Sequence, residues 1–163
     1  MKSFRHIEFI NTLIQLNYDR IACYEQAIRL LNQLDVALNA TPFFAQLIHE
    51  CKRNITELTL EVKKLDGFIP QQTSFSGKAC LMWMEIRSML SGKPVQAILS
   101  CCEMIDRIVM RGYDHAIASP INIPDVFRQR LLDHRIALGS SDTLLHTYKA
   151  LQETYILTQN HSS

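Results

Sequence analysis

Histidines and carboxylates are the residues of this chain that could hold a metal ion or transfer protons. Helical bundles that bind two iron or manganese ions place a Glu-x-x-His pair on each of two helices, because this spacing puts both ligands on one helix face. The chain has six histidines, and none of them follows a glutamate at this spacing. The full di-metal motif is therefore absent.

A partial set of four candidate metal ligands remains: Glu25, Glu57, Asp106 and His134. Equal counting from a predicted turn near residue 40 places Glu25 within about one helical turn of Glu57. Equal counting from a turn near residue 121 places Asp106 level with His134. If these side chains bind a metal, we expect iron, manganese or zinc. A carboxylate beside an inward histidine could also be a hydrogen-bonded pair with a purely structural role. Because two ligands alone make a weak metal site, the structural pair is favoured.

No other reactive motif stands out in the sequence. The five cysteines show no C-x-x-C spacing, so we expect reduced thiols in a cytoplasmic protein rather than disulfides or a zinc site. No Ser, Cys or His lies in a glycine-rich turn typical of a nucleophile, and the isolated glycines form no phosphate-binding loop. Nucleophilic catalysis and nucleotide binding have no support.

Composition and charge exclude several classes of partner. The 163 residues include 17 basic and 16 acidic ones, for a net charge of +1, so we expect neither nucleic acid nor an anionic membrane as a partner. No apolar run approaches the roughly 18 residues of a transmembrane helix. The N-terminus has no apolar segment like that of a signal peptide. These features indicate one cytoplasmic domain.

Four long stretches carry apolar residues at alternating three- and four-residue steps, which mark one face of an α-helix. The clearest stripe is Phe44, Ile48, Cys51, Ile55, Leu58, Val62 and Leu65. We predict long helices over residues 4–38, 42–65, 94–118 and 124–156, with Thr41 as the N-cap of the second helix. A short helix over 77–91 is predicted to bury five residues: Met82, Trp83, Ile86, Met89 and Leu90.

These elements predict an all-α domain over residues 1–158, with a frayed tail over 159–163. The connection from residue 66 to 76 is long for a helical hairpin, and it could run the length of the bundle, as the crossover does in ferritin-like four-helix bundles. Polar residues interrupt two of the apolar seams, at Asn17, His134 and Ser141. A lone polar residue on a seam often sets the register between packed helices.

Four segments carry a family resemblance: NYDRIACYEQA, ELTLEVKKLDGFIP, SGKACLMWMEIRSMLSGKPVQAILSCCEMID and RGYDHAI. They resemble a bacterial family of ferritin-like four-helix bundles of unknown function, distantly related to ferritin and rubrerythrin. The resemblance implies a bundle with a crossover and acids at Glu25, Glu57, Glu103 and Asp106. Late in the last helix the family often has a histidine followed by an acid, whereas this chain has Ser141 and Asp142. This departure removes a nitrogen ligand.

Two functions follow from these patterns. The first is a non-catalytic cytoplasmic bundle that acts as an interaction or stress-associated protein and could form a homodimer; the link to stress comes from the family resemblance. The second is a ferritin-like metal-binding protein or oxidase that uses Glu25, Glu57, Asp106 and His134. The missing Glu-x-x-His pairs favour the first function.

Overall fold

The computed structural model describes residues 2–34, 36, 38–70 and 75–162, and this part of the chain contains helices and no strands. The helices are α1 (Lys2–Leu31), α2 (Ala40–Lys64), α3 (Phe75–Leu90), α4 (Pro94–Ala118) and α5 (Asp125–His161). The predicted all-α architecture is thus confirmed for the described residues. Met1 and parts of three predicted segments lie outside them: Asp35 and Ala37 of the first helix, residues 71–74 of the connection after the second, and Ser163 of the tail.

Local signals account for three of the helix ends. Pro94 starts α4 as predicted, because a proline needs no hydrogen-bond acceptor at that position. Asn39 caps α2 by accepting a hydrogen bond from the backbone N–H of Thr41, so the prediction of Thr41 as the cap was wrong. The first helix ends at Leu31, where turn hydrogen bonds begin, seven residues before the predicted end. Asparagine and aspartate over 32–39 disfavour helix continuation.

The four long helices pack with antiparallel neighbours around a common core. Along α1 and α4, Asn17 contacts Tyr113 and Cys23 contacts Cys102, so residue numbers rise on one helix as they fall on the other. The α2 and α5 helices are antiparallel as well, since the rings of Phe43 and Tyr148 stack at one end and His134 contacts Glu57 further along. The pairs α1–α2 and α4–α5 are also antiparallel, because only the short connections 32–39 and 119–124 join their helices.

The shorter helix α3 carries the chain back along the bundle. It runs parallel to α1, because Gly77 lies against Asp19 and Glu85 faces Arg29. A Cβ atom on Gly77 would lie 2.2 Å from Asp19 Oδ1, so a larger residue here would force the Asp19 side chain to move. The long connection between α2 and α4 therefore spans the bundle from one end to the other.

Burial along α3 differs from the sequence prediction. Cys80 and Met84 face the bundle and are buried. The five residues predicted to be buried are exposed by 41–82%: Met82, Trp83, Ile86, Met89 and Leu90. That prediction was wrong because α3 has apolar residues all around, and sequence periodicity does not show which side meets α1 and α4.

The predicted seams of the long helices form most of the core. Every predicted seam residue of α5 is buried: Phe127, Leu131, His134, Leu138, Ser141, Leu145 and Tyr148. On α2, five of the seven predicted residues are buried, with Ile48 and Leu65 partly buried. Each buried large aliphatic side chain stabilises the fold by about 1.5–3 kcal/mol relative to an exposed one. The core is therefore mostly apolar, and the buried polar residues on the seams are exceptions within it.

Candidate functional site

A layer of buried polar side chains crosses the middle of the bundle. All four long helices contribute to it: Asn17 and Arg20 from α1, Asn54 from α2, Asp106 and Tyr113 from α4, and His134 and Ser141 from α5. Buried polar groups destabilise a fold unless they are hydrogen-bonded. The layer is arranged as two hydrogen-bonded groups, one around Arg20 and one through His134.

The group around Arg20 is built on a fully buried guanidinium. Its Nε atom lies 3.1 Å from Asp106 Oδ1, and its Nη1 atom lies 3.3 Å from Glu50 Oε1. Its Nε and Nη2 also donate to the Tyr24 hydroxyl, which in turn donates to Asp106 Oδ1. On the far side, Ser141 donates to Glu50. Arginine stays charged at any physiological pH, so one internal cation faces two carboxylates.

The buried carboxylate of Asp106 is only partly stabilised by its partners in this group. Burial raises the pKa of its carboxyl from 3.8 to about 6, although Arg20 and Tyr24 act in the opposite direction. Its second oxygen, Oδ2, is buried and has no hydrogen-bond partner among the described residues. Desolvation thus outweighs pairing here, as is common for buried ion pairs.

The second group is a chain of hydrogen bonds that ends at the surface. Asn54 donates to Asn17 (3.4 Å), Asn17 donates to the Tyr113 hydroxyl (2.9 Å), and Tyr113 lies 3.1 Å from His134 Nδ1. His134 Nε2 lies 2.8 Å from Glu57 Oε2. An ionised carboxylate can only accept a hydrogen bond, so Nε2 carries the proton and Tyr113 donates to Nδ1.

His134 is neutral in this arrangement. Burial lowers its pKa, and the partly exposed Glu57 only partly offsets that effect. Glu57 also lies 3.8 Å from Arg130 at the surface. The histidine is therefore a satisfied core residue whose tautomer is set by its two neighbours.

The four predicted ligands are not all brought together. Glu57 and His134 are in contact, whereas Asp106 bonds to Arg20 and Tyr24, and Glu25 is exposed. Among the residues that the structure describes, no three His, Cys, Asp or Glu side chains are placed to hold a metal ion. The assignment of these four residues as a metal site stays a prediction.

Helix register explains the difference. Asn17 meets Asn54 and Arg20 meets Glu50, so Glu25 lies level with residues near 45 rather than 55. Because α1 ends at Leu31 rather than at residue 38, the connection to α2 begins earlier in the sequence and the register shifts. On α4 and α5, Tyr113 meets His134 and Glu103 meets His146, which leaves Asp106 about two turns from the level of His134.

Cysteines form a buried cluster where α1, α3 and α4 meet. Cys23 donates a weak hydrogen bond to Cys102 across 3.9 Å, and Cys80 and Cys101 are buried nearby. The pKa of Cys23 is raised by this hydrogen bond and by burial, and burial raises the pKa of Cys102 as well. Protonated, buried thiols are poor nucleophiles, so this cluster acts as packing.

The short helix α3 exposes five large apolar side chains on one face, and the longer helix α5 exposes seven along its length. We call Met82, Trp83, Ile86, Met89 and Leu90 the outer face of α3, and Met89 and Leu90 are exposed by 78% and 82%. A cavity of about 280 Å³ beside it is lined partly by Met89 and Leu34. Within the described residues, every helix is too short or too polar to span a bilayer. A contiguous exposed apolar patch of this kind is typical of an interaction surface.

Sequence reasoning missed Arg20 and Glu50 as members of the polar layer. A signal for Arg20 was present, because it lies three residues after Asn17 and four before Tyr24, on the same helix face. Its partner Glu50 had no such signal, since it lies at the edge of the α2 stripe and becomes part of the layer only through the register with α1.

These features define an all-helical bundle with a buried arginine in a polar layer and an apolar outer helix. The family model for Domain of unknown function (DUF2383) matches residues 5–119, so the chain belongs to this family. The match includes Arg20, Glu50 and Asp106 and ends before α5, which supplies His134. No curated protein and no solved structure matches the chain.

Proposed function

We propose that the protein is a non-catalytic, ferritin-like helical bundle of the cytoplasm that acts by binding another protein through the outer face of α3. The observation that carries this function is the 41–82% exposure of five large apolar side chains on one helix. Isolated exposed apolar residues are common, but a contiguous group is typical of an interface.

The polar layer supports the non-catalytic part. Three interior carboxylates already have basic partners: Asp106 and Glu50 pair with Arg20, and Glu103 pairs with Lys149 at 3.0 Å. The guanidinium supplies inside the bundle the positive charge that a bound metal ion would supply. The structural role of His134 as a hydrogen-bonded core residue agrees with this interpretation.

The ferritin-like arrangement is supported by the path of the chain. The helices α1, α2, α4 and α5 have antiparallel neighbours, and the connection that holds α3 spans the bundle between α2 and α4. This is the helix order of ferritin-like bundles with one long crossover. An association with stress rests only on the family resemblance of the sequence.

Photo-crosslinking tests the interaction function. A photoreactive amino acid at Met89 of the full chain is expected to form a discrete covalent adduct with a protein in cells that produce this chain. The matched control carries it at Ile136 of α5, which is 67% exposed. Equal labelling at both positions, or none at Met89, would overturn the interaction function.

A metal-binding protein or oxidase is the second candidate, favoured by one observation. Glu57 and His134 lie 2.8 Å apart and Glu57 is partly exposed, so this pair could contribute two ligands at the surface of the bundle. Elemental analysis of protein purified without chelator tests it, beside the His134→Ala variant. One or two transition-metal ions per chain, lost in the variant, would establish a metal-binding protein, and oxidation of the bound metal by oxygen or peroxide would then overturn the non-catalytic function.

A further inference from the structure

We propose that the partner of the outer face of α3 is a second copy of this chain, with the two α3 helices packed antiparallel about a two-fold axis beside Ile86. This inference rests on the proposed interaction function and names its partner. It follows from the spacing of the apolar residues, the position of the flanking charges and the size of the face.

The apolar residues are arranged symmetrically about Ile86. Met82 and Leu90 each lie four residues from it, and Trp83 and Met89 each lie three residues from it. At 3.6 residues per turn, all four project within about 60° of the direction of Ile86. The outer face is therefore one stripe with Ile86 at its centre.

A two-fold axis makes this stripe complementary to itself. In an antiparallel pair of α3 helices, Ile86 lies beside its own copy on the axis. Trp83 then meets Leu90 of the second copy, and Met82 meets Met89 of the second copy, because each pair lies on the same side of the helix at similar heights from the axis. Every large apolar residue of the face thus gains an apolar neighbour, as an isologous interface requires.

Charged residues border this stripe instead of interrupting it. Glu85 and Arg87 project about 100° to either side of Ile86. Glu85 faces Arg29 of its own chain at 3.7 Å, and both side chains are about half exposed. These charges stay in water at the rim of the interface, which is the usual distribution in protein interfaces. The net charge of +1 adds little repulsion between two copies.

The size of the face fits a modest dimer. With the exposures given above, its apolar area is on the order of 600 Å² per copy, at the upper end of the largest patches on monomers. Two such faces would bury about 1,200 Å² in total, the lower end of the range for specific interfaces. A reversible dimer is therefore expected rather than an obligate one.

Sedimentation velocity and tryptophan fluorescence of the full chain test this partner. Trp83 is the chain's single tryptophan and is 51% exposed, so dimerisation should shift its emission to shorter wavelength as the protein concentration rises. Met89→Glu should weaken self-association at least about tenfold and remove the shift. Ile136→Glu, a matched change of an exposed residue on α5, should leave both unchanged.

A pair of charge changes tests the register. Met82→Lys alone and Met89→Glu alone should each give monomers, whereas an equimolar mixture of the two variants should form a heterodimer. In the mixture, the lysine introduced at position 82 of one chain would meet the glutamate introduced at position 89 of the other. Failure of the mixture to associate more strongly than either variant alone would overturn the antiparallel register.

The outcomes separate this inference from the function on which it rests. A wild-type chain that stays monomeric up to roughly 0.1 mM, above the micromolar affinities of weak complexes, overturns the second copy as partner. A crosslink from position 89 to a different protein would then keep the interaction function. A monomer with no crosslink at all would overturn both.

Discussion

The middle of the bundle and the outer face of α3 distribute polarity in opposite ways. In the middle, the fully buried Arg20 contacts Asp106 and Glu50 between four helices. On α3, the apolar side chains of Trp83 and Met89 are exposed to solvent. A buried ion pair costs desolvation energy, and exposed apolar area forgoes hydrophobic stabilisation. The first arrangement joins α1 to α2 and α4 through ion pairs, and the second leaves apolar area that association would bury.

The largest expected effect is that of removing the buried cation. Arg20→Met would leave the Asp106 and Glu50 carboxylates buried without their positive partner, and we expect a loss of about 3–5 kcal/mol in the free energy of unfolding. Urea unfolding measures it. The double variant Arg20→Met with Asp106→Leu should recover part of the loss. A loss of less than about 1 kcal/mol in the single variant would contradict an essential pairing role for Arg20.

The pH dependence of stability tests the pair of Arg20 and Asp106 through the titration of the Asp106 carboxyl. The pKa of Asp106 is about 6 in the folded protein against 3.8 for the ordinary carboxyl. Between these values the unfolded chain has released a proton that the folded chain keeps, so stability falls as pH rises from about 4 to about 6 and stays level above. The fall should be on the order of 2–3 kcal/mol.

The Asp106→Asn variant isolates this effect. Lowered pKa values of His134 and His6 act in the opposite direction, since they reduce stability as pH falls below 6.5, but both proteins contain these histidines. The difference in unfolding free energy between wild type and variant should therefore change between pH 4 and 6. A constant difference would show that Asp106 is ionised throughout.

A smaller effect is expected in the hydrogen-bonded chain through His134. Tyr113→Phe keeps the ring but removes the hydroxyl that links Asn17 to His134, so two buried polar atoms lose a partner. We expect a loss of about 1–3 kcal/mol in unfolding free energy. Tyr155→Phe on the exposed side of α5 is the control and should be neutral. Equal stabilities for the two variants would mean that the chain of hydrogen bonds contributes nothing.

The smallest effect on stability is expected on the outer face of α3. Met89→Glu places a charge where the side chain is 78% exposed, so the unfolding free energy of the monomer should stay within about 0.5 kcal/mol of wild type. Thermal unfolding at low protein concentration measures it. A larger loss would show that Met89 supports the fold itself, and the contrast with the polar layer would disappear.

Much of the helical frame was predictable, but the candidate site was predictable only in part. The α5 seam, including His134 and Ser141, follows from local periodicity, and Pro94 marks the start of α4. The contacts of His134 could not be predicted in the same way. Counting residues from a turn gives the right neighbours only if the end of α1 and the register between α4 and α5 are known. A shift of a few residues in one connection moved Glu25 away from Glu57.

The sequence by itself determined that the chain is all-helical, where most helices lie and which faces of α2 and α5 are buried. These properties depend on hydrogen bonds and side-chain spacing within a few residues of each other. Only the tertiary structure decided that Arg20 pairs with Asp106 and Glu50, that His134 meets Glu57, and that α3 turns Met84 inward and Trp83 outward. Such choices depend on the energy of contacts between helices that are distant in sequence, which local periodicity does not contain.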